Sequence, residues 1–257
     1  MSEDLLALAE AVAREAGASL RDAFASLGSL EVSTKSTATD LVSDADVATE
    51  RLIRTRLHEV RPGDAILGEE GGEGSGTTGL RWVVDPLDGT VNFLFGIPQW
   101  AVSIACEDSG GALAGVVYDA VREEMWSARR DGPATCNGVP LHGSGRTELA
   151  TTLVATGFGY DAAVREVQAA TVARLLPHVR DIRRFGSAAL DLVWCAAGRY
   201  DAFYERGLNA WDLAAGALVC ERAGLAVVEL AATPPTGPGI LVAPPAIASE
   251  LAALVSD

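Results

Sequence analysis

The chain has few of the residues on which soft-metal and disulfide chemistry depend. Its 257 residues include only four cysteines and three histidines. The cysteines, at positions 106, 136, 195 and 220, form no Cys-x-x-Cys spacing, and the histidines lie far from them and from one another. We therefore expect neither a zinc site nor a disulfide framework. Cysteines within apolar runs are typical of buried, chemically inert positions.

Positive charge is also scarce. Lys35 is the only lysine beside nineteen arginines, and the formal net charge is −15. Affinity for phosphate backbones comes from clustered Lys and Arg, so binding to nucleic acid or to an anionic membrane is not expected. No uncharged stretch approaches the roughly 20 residues of a bilayer-spanning helix, and the acidic N-terminus does not resemble a secretion signal. A cytoplasmic location follows.

Apolar spacing predicts an α/β protein that forms one domain over 1–257, with an α+β half at about 1–145 and an α/β half at about 146–257. An amphipathic helix is expected at 4–27, and Ser43 with Asp46 has capping-box spacing before a second helix that stops at 61–63. Strands are predicted at 65–67, 81–84, 101–106, 112–118, 124–129, 151–156, 180–185, 200–204, 226–230 and 239–243. Further helices are predicted at 161–176, 187–197 and 211–223 and after 243. Mixed sheets covered by helices follow from that order.

The most informative stretch is 82–92, Trp-Val-Val-Asp-Pro-Leu-Asp-Gly-Thr-Val-Asn, where an apolar run ends in two aspartates three positions apart. Asp85, Pro86 and the following glycine fit a type I turn, which would bring the Asp85 and Asp88 backbones within about 7 Å. Two carboxylates about 4 Å apart repel by roughly 4 kcal/mol at an effective dielectric near 20. A hard cation with oxygen ligands, Mg²⁺ first of all, would relieve that repulsion.

Two further acidic segments favour a metal site over an ordinary surface turn. An apolar run at 65–67 leads into Glu69 and Glu70, and Asp212 stands at the start of an Ala-rich helix. We therefore expect carboxylates from separate segments to converge. The glycine string at 74–79 has the letters of a dinucleotide fingerprint, which would indicate a nicotinamide-linked oxidoreductase. It precedes a strand instead of following one, so we interpret it as a surface loop.

With these segments, the chain resembles the inositol monophosphatase family, within the Mg²⁺-dependent, lithium-sensitive phosphatases. The resemblance rests on four motifs in the order and separation typical of that family, at 68–70, 82–93, 186–189 and 204–216. It implies an α-β-α-β-α layered sandwich of the inositol monophosphatase and fructose-1,6-bisphosphatase type. It also implies a homodimer and hydrolysis of a phosphate monoester.

The resemblance implies two or three Mg²⁺ ions. Glu69, Asp85 and the carbonyl of Leu87 match ligands of a first ion. Asp85, Asp88 and Asp212 match ligands of a second, so that Asp85 would bridge the two. Glu70 is a weaker candidate for the outer sphere of a third ion.

The same resemblance assigns catalytic roles. Asp46 and Thr90 are similar to the pair that orients the attacking water, a role that competes with helix capping by Asp46. Glu69 would act with them through the metal. Lys35 matches a loop residue near the metal site, with an exposed, solvated amine as the alternative. We expect direct attack by a metal-activated water without a phosphoenzyme.

For the substrate, the resemblance implies contacts from the polar and backbone groups of Asp88, Gly89, Thr90, Ala188, Glu205 and Asp212. The amide N–H groups of Gly89 and Thr90 would bind phosphate if they begin a helix. A carboxylate at Glu205 suits a polyol because it accepts hydrogen bonds from adjacent hydroxyls. We interpret the neighbouring Arg183, Arg184 and Arg206 as structural, in salt bridges or a dimer surface.

These features favour hydrolysis of myo-inositol monophosphate. The same chemistry on histidinol phosphate, fructose 1,6-bisphosphate or a nucleotide 3′-phosphate stays open, as does a non-catalytic, metal-binding regulator. Two departures from the family pattern, Leu225 in place of a glycine and a short Pro-rich segment at 231–239, leave the pocket rim and the substrate preference open.

Overall fold

The computed structural model describes residues 2–26, 32–34 and 41–256. Its helices are α1 (Ser2–Ala25), α2 (Asp44–Val60), α3 (Thr90–Leu94), α4 (Ala162–Leu175), α5 (Ala188–Ala196), α6 (Ala210–Arg222) and α7 (Pro245–Val255). Its strands are β1 (Val32–Thr34), β2 (Leu41–Ser43), β3 (Ala65–Gly68), β4 (Gly72–Glu73), β5 (Arg81–Asp88), β6 (Ala101–Asp108), β7 (Gly111–Asp119), β8 (Glu124–Arg129), β9 (Thr135–Cys136), β10 (Val139–Pro140), β11 (Leu153–Thr156), β12 (Asp181–Arg183), β13 (Ala202–Arg206), β14 (Ala226–Leu230) and β15 (Gly239–Ala243).

The larger sheet has eight strands in the order β10-β9-β8-β7-β6-β5-β3-β4. Strand β3 runs parallel to β5, while β5 to β8 pair antiparallel in chain order, as the consecutive strand pattern predicts. Because side chains alternate across a strand, Trp82 and Val84 pack on the face covered by α1 and α2, whereas Val83 packs on the face covered by α5 and α6. The sheet is thus buried on both faces.

The smaller sheet has five strands in the order β12-β11-β13-β15-β14. Strands β11, β12 and β13 are parallel, and β15 runs antiparallel to both β13 and β14. Phe203 and Val242 pack towards α5, while Tyr204 and Leu241 pack towards the layer that contains α7. The order of layers is therefore α1/α2, large sheet, α5/α6, small sheet, α4/α7, which confirms the predicted α-β-α-β-α sandwich.

The element boundaries follow the apolar spacing closely in the second half. Predicted helices 161–176, 187–197 and 211–223 agree with α4, α5 and α6 to within one residue at each end, and β14 and β15 have the predicted bounds. The two-residue strands β4, β9 and β10 are too short to carry a periodic pattern. Among the described helices, none combines the length and the apolar character needed to cross a membrane.

The predicted type I turn at Asp85 is wrong. Strand β5 continues to Asp88, and its pairing with β6 shifts: Asp85 lies opposite Ser103, and Asp88 lies opposite Ala101. Between these two pairs, β5 advances by three residues while β6 advances by two, so β5 contains a β-bulge. Pro86 has no N–H for the ladder, and the N–H of Leu87 donates to Asp85 Oδ1 at 3.0 Å. The extra residue bends the strand without reversing it, and both aspartates still approach one site.

Candidate metal and phosphate site

The acidic segments meet at one end of the large sheet. Side-chain oxygens of Asp85, Asp88 and Asp212 lie within 4.8 Å of one another, and oxygens of Asp46, Glu69 and Glu70 form a second such group. All of these donors are carboxylate oxygens, the ligand type that hard divalent cations prefer. The chemistry of the donor set therefore fits metal ions of this class.

Strand pairing explains how Asp212 reaches the strand acids. Ser103 lies opposite Asp85 in the ladder, and its hydroxyl donates to the carbonyl of Trp211 at 3.2 Å. This bond fixes the first turn of α6 against β6, next to the end of β5. The carboxylate of Asp212 in turn accepts from the N–H of Asn209 at 2.6 Å, within a capping box that begins the helix.

The carboxyl groups of this site raise one another's pKa. Burial raises the pKa of Asp85 well above its usual range, and the charges of Glu69, Asp88 and Asp212 raise it further. Burial together with the charge of Asp88 raises the pKa of Asp212 to about 7. Without a cation the ionised forms of these buried groups repel one another, which is a second reason to regard the residues as fitting a metal site.

The first turn of α5 holds Asp88. Ser187 Oγ donates to Asp88 Oδ2, and the N–H groups of Ala189 and Ala188 donate to its two oxygens at 2.8 and 3.2 Å. Burial raises the pKa of Asp88, and these donors oppose that rise. The motif at 186–189 thus fixes a strand acid from the other half of the chain, and the N–H of Ala188 is directed at Asp88 itself.

Asp46 and Thr90 are brought together across 44 positions of sequence. Thr90 Oγ1 lies 2.8 Å from Asp46 Oδ2 and 3.0 Å from the carbonyl oxygen of Leu87, so its single proton is directed at these acceptors. Gly89, just before α3, has φ 96°, and a Cβ there would come within 2.8 Å of the carbonyl oxygen of Gln99. Only glycine fits both the left-handed backbone and the close approach.

A positioning residue that the sequence analysis missed is Glu50. It is 2% exposed, and its carboxylate accepts from the N–H groups of Glu70 and Gly71 at 2.6 and 2.8 Å and from Arg54 at 2.6 Å. It therefore fixes the turn that carries Glu69 and Glu70. Its spacing in the sequence could have indicated this role, because Glu50 lies four residues after Asp46 and therefore on the same face of α2.

A pocket of about 470 Å³ extends from the acidic groups. Asp85, Asp88 and Asp212 lie at one end, and Glu205 lines its wall near Ala188. Burial and then the charge of Asp191 raise the pKa of Glu205 well above its usual range, while Arg184 opposes the rise. Such a cleft can hold a small ester with its phosphate at the acidic end and its alcohol beside Glu205.

The remaining sequence candidates lie as follows. Arg183 pairs with Asp181 on the surface, as expected for a structural role. Arg206 lines the pocket, but its guanidinium donates to the carbonyls of Ala231 and Val255, which also fits a structural role. Arg184 lines the pocket, which the structural interpretation did not anticipate. Leu225 is buried in the core and packs against Gly143, so it does not form the pocket rim. Lys35 lies outside the described residues.

Comparison with known proteins agrees with this geometry. The sequence profile of the inositol monophosphatase family matches residues 1–257. The "Inositol-1-monophosphatase SuhB" of Mycobacterium tuberculosis is 45% identical over 97% of this chain and 92% of its own. The "Nus factor SuhB" of Pseudomonas aeruginosa is 43% identical over 86% of this chain and 84% of its own. The crystal structure of the extragenic suppressor protein suhB from Bartonella henselae superposes with a TM-score of 0.91 at 36% identity, covering 98% of both chains.

The crowded carboxyls predict a stability that depends on pH and on divalent cations. An unfolded aspartate titrates near 3.8 and Asp212 in the folded protein near 7, so the folded state binds more protons between these values. The free energy of unfolding of the metal-free protein should therefore fall as pH rises from about 4 to about 7. Mg²⁺ at 100 times its dissociation constant should add about 2.7 kcal/mol, most clearly above pH 7.

Melting curves from pH 5 to 8 in EDTA and in Mg²⁺ measure both effects. Curves that respond to neither Mg²⁺ nor EDTA would contradict a cation site at these residues.

Glu50→Gln tests the support of the acidic turn. Each carboxylate oxygen of Glu50 accepts from one of the two backbone N–H groups, and the substitution replaces one of these oxygens with an NH₂ group. It also leaves Arg54 without its charged partner. We expect Mg²⁺ affinity to fall about 10-fold or more, because partners that orient ligands typically contribute this much. Glu59→Gln, on the exposed face of the same helix, is the matched control. Calorimetric titration that gives the two variants equal affinity would rule out the positioning role.

Proposed function

Since this chain belongs to the inositol monophosphatase family, a family of phosphoric monoester hydrolases, we propose that it hydrolyses myo-inositol monophosphate to myo-inositol and phosphate with Mg²⁺ as cofactor. The observation that carries the proposal is the arrangement of one pocket. The carboxylates of Asp85, Asp88 and Asp212 line it together with Glu69, and Glu205 lines it as well. The clustered carboxylates suit cations and phosphate, and Glu205 suits a polyol.

Glu69, Asp85, Asp88, Asp212 and the carbonyl of Leu87 would hold two ions, with Glu70 near a third. When bound, Mg²⁺ would compensate charge on the phosphate and lower the pKa of the attacking water. Phosphoryl transfer needs little covalent help from protein, so alignment and charge compensation are the main requirements.

The chain's own groups supply the alignment. Because the proton of Thr90 is directed at Asp46 and the carbonyl of Leu87, a lone pair of Thr90 Oγ1 remains to accept a hydrogen bond from a water molecule. The N–H groups of Gly89 and Thr90 lie at the start of α3 and would bind phosphate oxygens. Thr90 thus orients the water while the adjoining backbone holds the phosphate.

Substrate preference would come from the wall of the pocket. A carboxylate at Glu205 accepts two hydrogen bonds from adjacent hydroxyls, which a cyclic polyol offers. Its raised pKa indicates that the group is costly to ionise until such donors arrive. Histidinol phosphate, fructose 1,6-bisphosphate and a nucleotide 3′-phosphate are the competing esters.

We also propose that the protein is a cytoplasmic homodimer that binds no nucleic acid.

A second candidate function is metal-dependent regulation without catalysis. It is favoured by the name of the Pseudomonas aeruginosa relative, a Nus factor. The acidic groups alone serve either function, because a cation can order a surface as well as activate water. Turnover distinguishes the two.

A panel of the four esters, assayed by phosphate release in Mg²⁺, tests the proposed function. We expect the highest kcat/KM for myo-inositol 1-phosphate. Asp85→Asn should lower kcat/KM about 100-fold or more, because it removes the carboxylate proposed to hold both ions and so weakens charge compensation at the reacting phosphate. Asp131→Asn changes an exposed aspartate far from the pocket and is the control. A higher kcat/KM for another ester would replace the inositol assignment, and no hydrolysis of any ester by the folded protein would favour regulation.

Gly157→Ala tests the role of Glu205. A Cβ at position 157 would lie 2.0 Å from Glu205 Oε2, at the end of a side chain that can move aside. We expect the protein to fold while KM for inositol 1-phosphate rises about 10-fold, the equivalent of one lost hydrogen bond to a charged group. Gly145→Ala is the matched control because a Cβ there meets nothing within 4 Å. Steady-state kinetics in which the two variants have the same KM would contradict this role.

A further inference from the structure

We propose that Gln168 is a positioning residue that sets the selectivity of the pocket for the alcohol part of the ester. The proposal deepens the proposed function and rests on it. Gln168 acts through Phe158, Gly159 and Tyr160, three consecutive residues that line the pocket and that we call the aromatic wall.

Helix α4 holds the backbone of the aromatic wall. Gln168 Oε1 accepts from the N–H of Gly159 at 2.9 Å, and Arg165 Nη1 donates to the carbonyl of Tyr160 at 2.6 Å. The two contacts differ in environment, since Gln168 is 7% exposed whereas Arg165 is exposed. The buried contact is the one that solvent cannot easily replace.

The hydrogen bond to Gly159 orients the amide of Gln168. The side chain borders a cavity of about 10 Å³ that is also lined by Thr156, Gly157 and Thr171. Within the described part of the chain, Gln168 Nε2 has no hydrogen-bond partner. No second hydrogen bond therefore holds the amide, and only Oε1 can accept from the N–H of Gly159. Loss of that acceptor should release the wall.

The aromatic wall lies beside Arg184 and Glu205 in the pocket. The guanidinium of Arg184 lies 6.0 Å from the ring of Phe158, and Gly157, which precedes the wall, lies against the carboxylate of Glu205. None of the proposed metal ligands is on α4 or in the wall. Movement of the wall should therefore change how the alcohol is bound and leave the phosphate end unchanged.

Two substitutions of similar length isolate the acceptor. Gln168→Met removes it, and Gln168→Glu keeps it, while Glu166→Gln on the exposed face of α4 is the control. The substrates are myo-inositol 1-phosphate, whose ring reaches the wall, and glycerol 2-phosphate, which has a smaller alcohol. With Gln168→Met we expect KM for inositol 1-phosphate to rise about fivefold, with kcat within about twofold. Both constants for glycerol 2-phosphate should change less than about twofold, and Gln168→Glu should restore the KM.

A second readout does not depend on turnover. Amide hydrogen exchange at 158–160, measured well below the melting temperature of each variant, should be faster in Gln168→Met than in the unaltered protein or in Gln168→Glu. Equal exchange in all variants, or an equal loss of activity on both esters, would overturn the positioning role. Failure of the unaltered protein to hydrolyse any ester would instead contradict the proposed function, and the exchange rates would still decide whether Gln168 holds the wall.

Discussion

One parallel strand pair, β3 beside β5, determines where the acidic groups lie. Its register places Gly68 opposite Val84, so Glu69, which follows β3, and Asp85, which begins the bulge in β5, come next at the same edge of the sheet. Parallel strands end at the same edge, whereas an antiparallel pair would have sent these carboxylates to opposite edges. The remaining described pairs of this sheet are antiparallel, so among them no other two neighbouring strands have their carboxyl ends side by side. The mutual repulsion of Glu69 and Asp85, and the fit of their oxygens to a hard cation, both arise from this register.

Holding such acids in place without a bound cation requires hydrogen-bond donors. The first turn of α5 supplies a hydroxyl and two N–H groups to Asp88, and Thr90 supplies a hydroxyl to Asp46. At the turn that carries Glu69 the roles are exchanged, because the turn donates and a carboxylate accepts. The buried Glu50, which is paired with Arg54, accepts hydrogen bonds from the backbone N–H groups of this turn. Buried charge is tolerated where donors or partners replace water. Several carboxylates of the site therefore have fixed positions, which would reduce the entropy lost on binding an ion.

Patterns among residues that are close in the sequence predict those features that depend on interactions between such residues. The apolar periodicity of α4, α5 and α6 gives their bounds, and the runs of acids after strands predict that Glu69, Asp85 and Asp212 approach one another. Other features depend on long-range pairing and could not be predicted. The bulge at Asp85 exists because β6 pairs with β5 on both sides of Pro86, and a turn propensity cannot foresee that ladder. The contacts of Ser187 with Asp88 and the place of Arg184 in the pocket likewise require the second half to pack on the first.

The pocket joins two parts that are built separately. Its acidic end comes mainly from β5 and the residue after β3, while another part of its lining comes from β13 and from the segment between β11 and α4, which α4 holds through hydrogen bonds. The only direct bonds from α5 to the strand acids are at Asp88, among the described residues, and they fix the distance between the two parts. A different residue at 158, in the aromatic wall, or at 168, which holds the wall, therefore need not move the acidic side chains. A protein with this construction can change the alcohol that it accepts while its phosphate chemistry stays the same, because the two properties depend on different contacts.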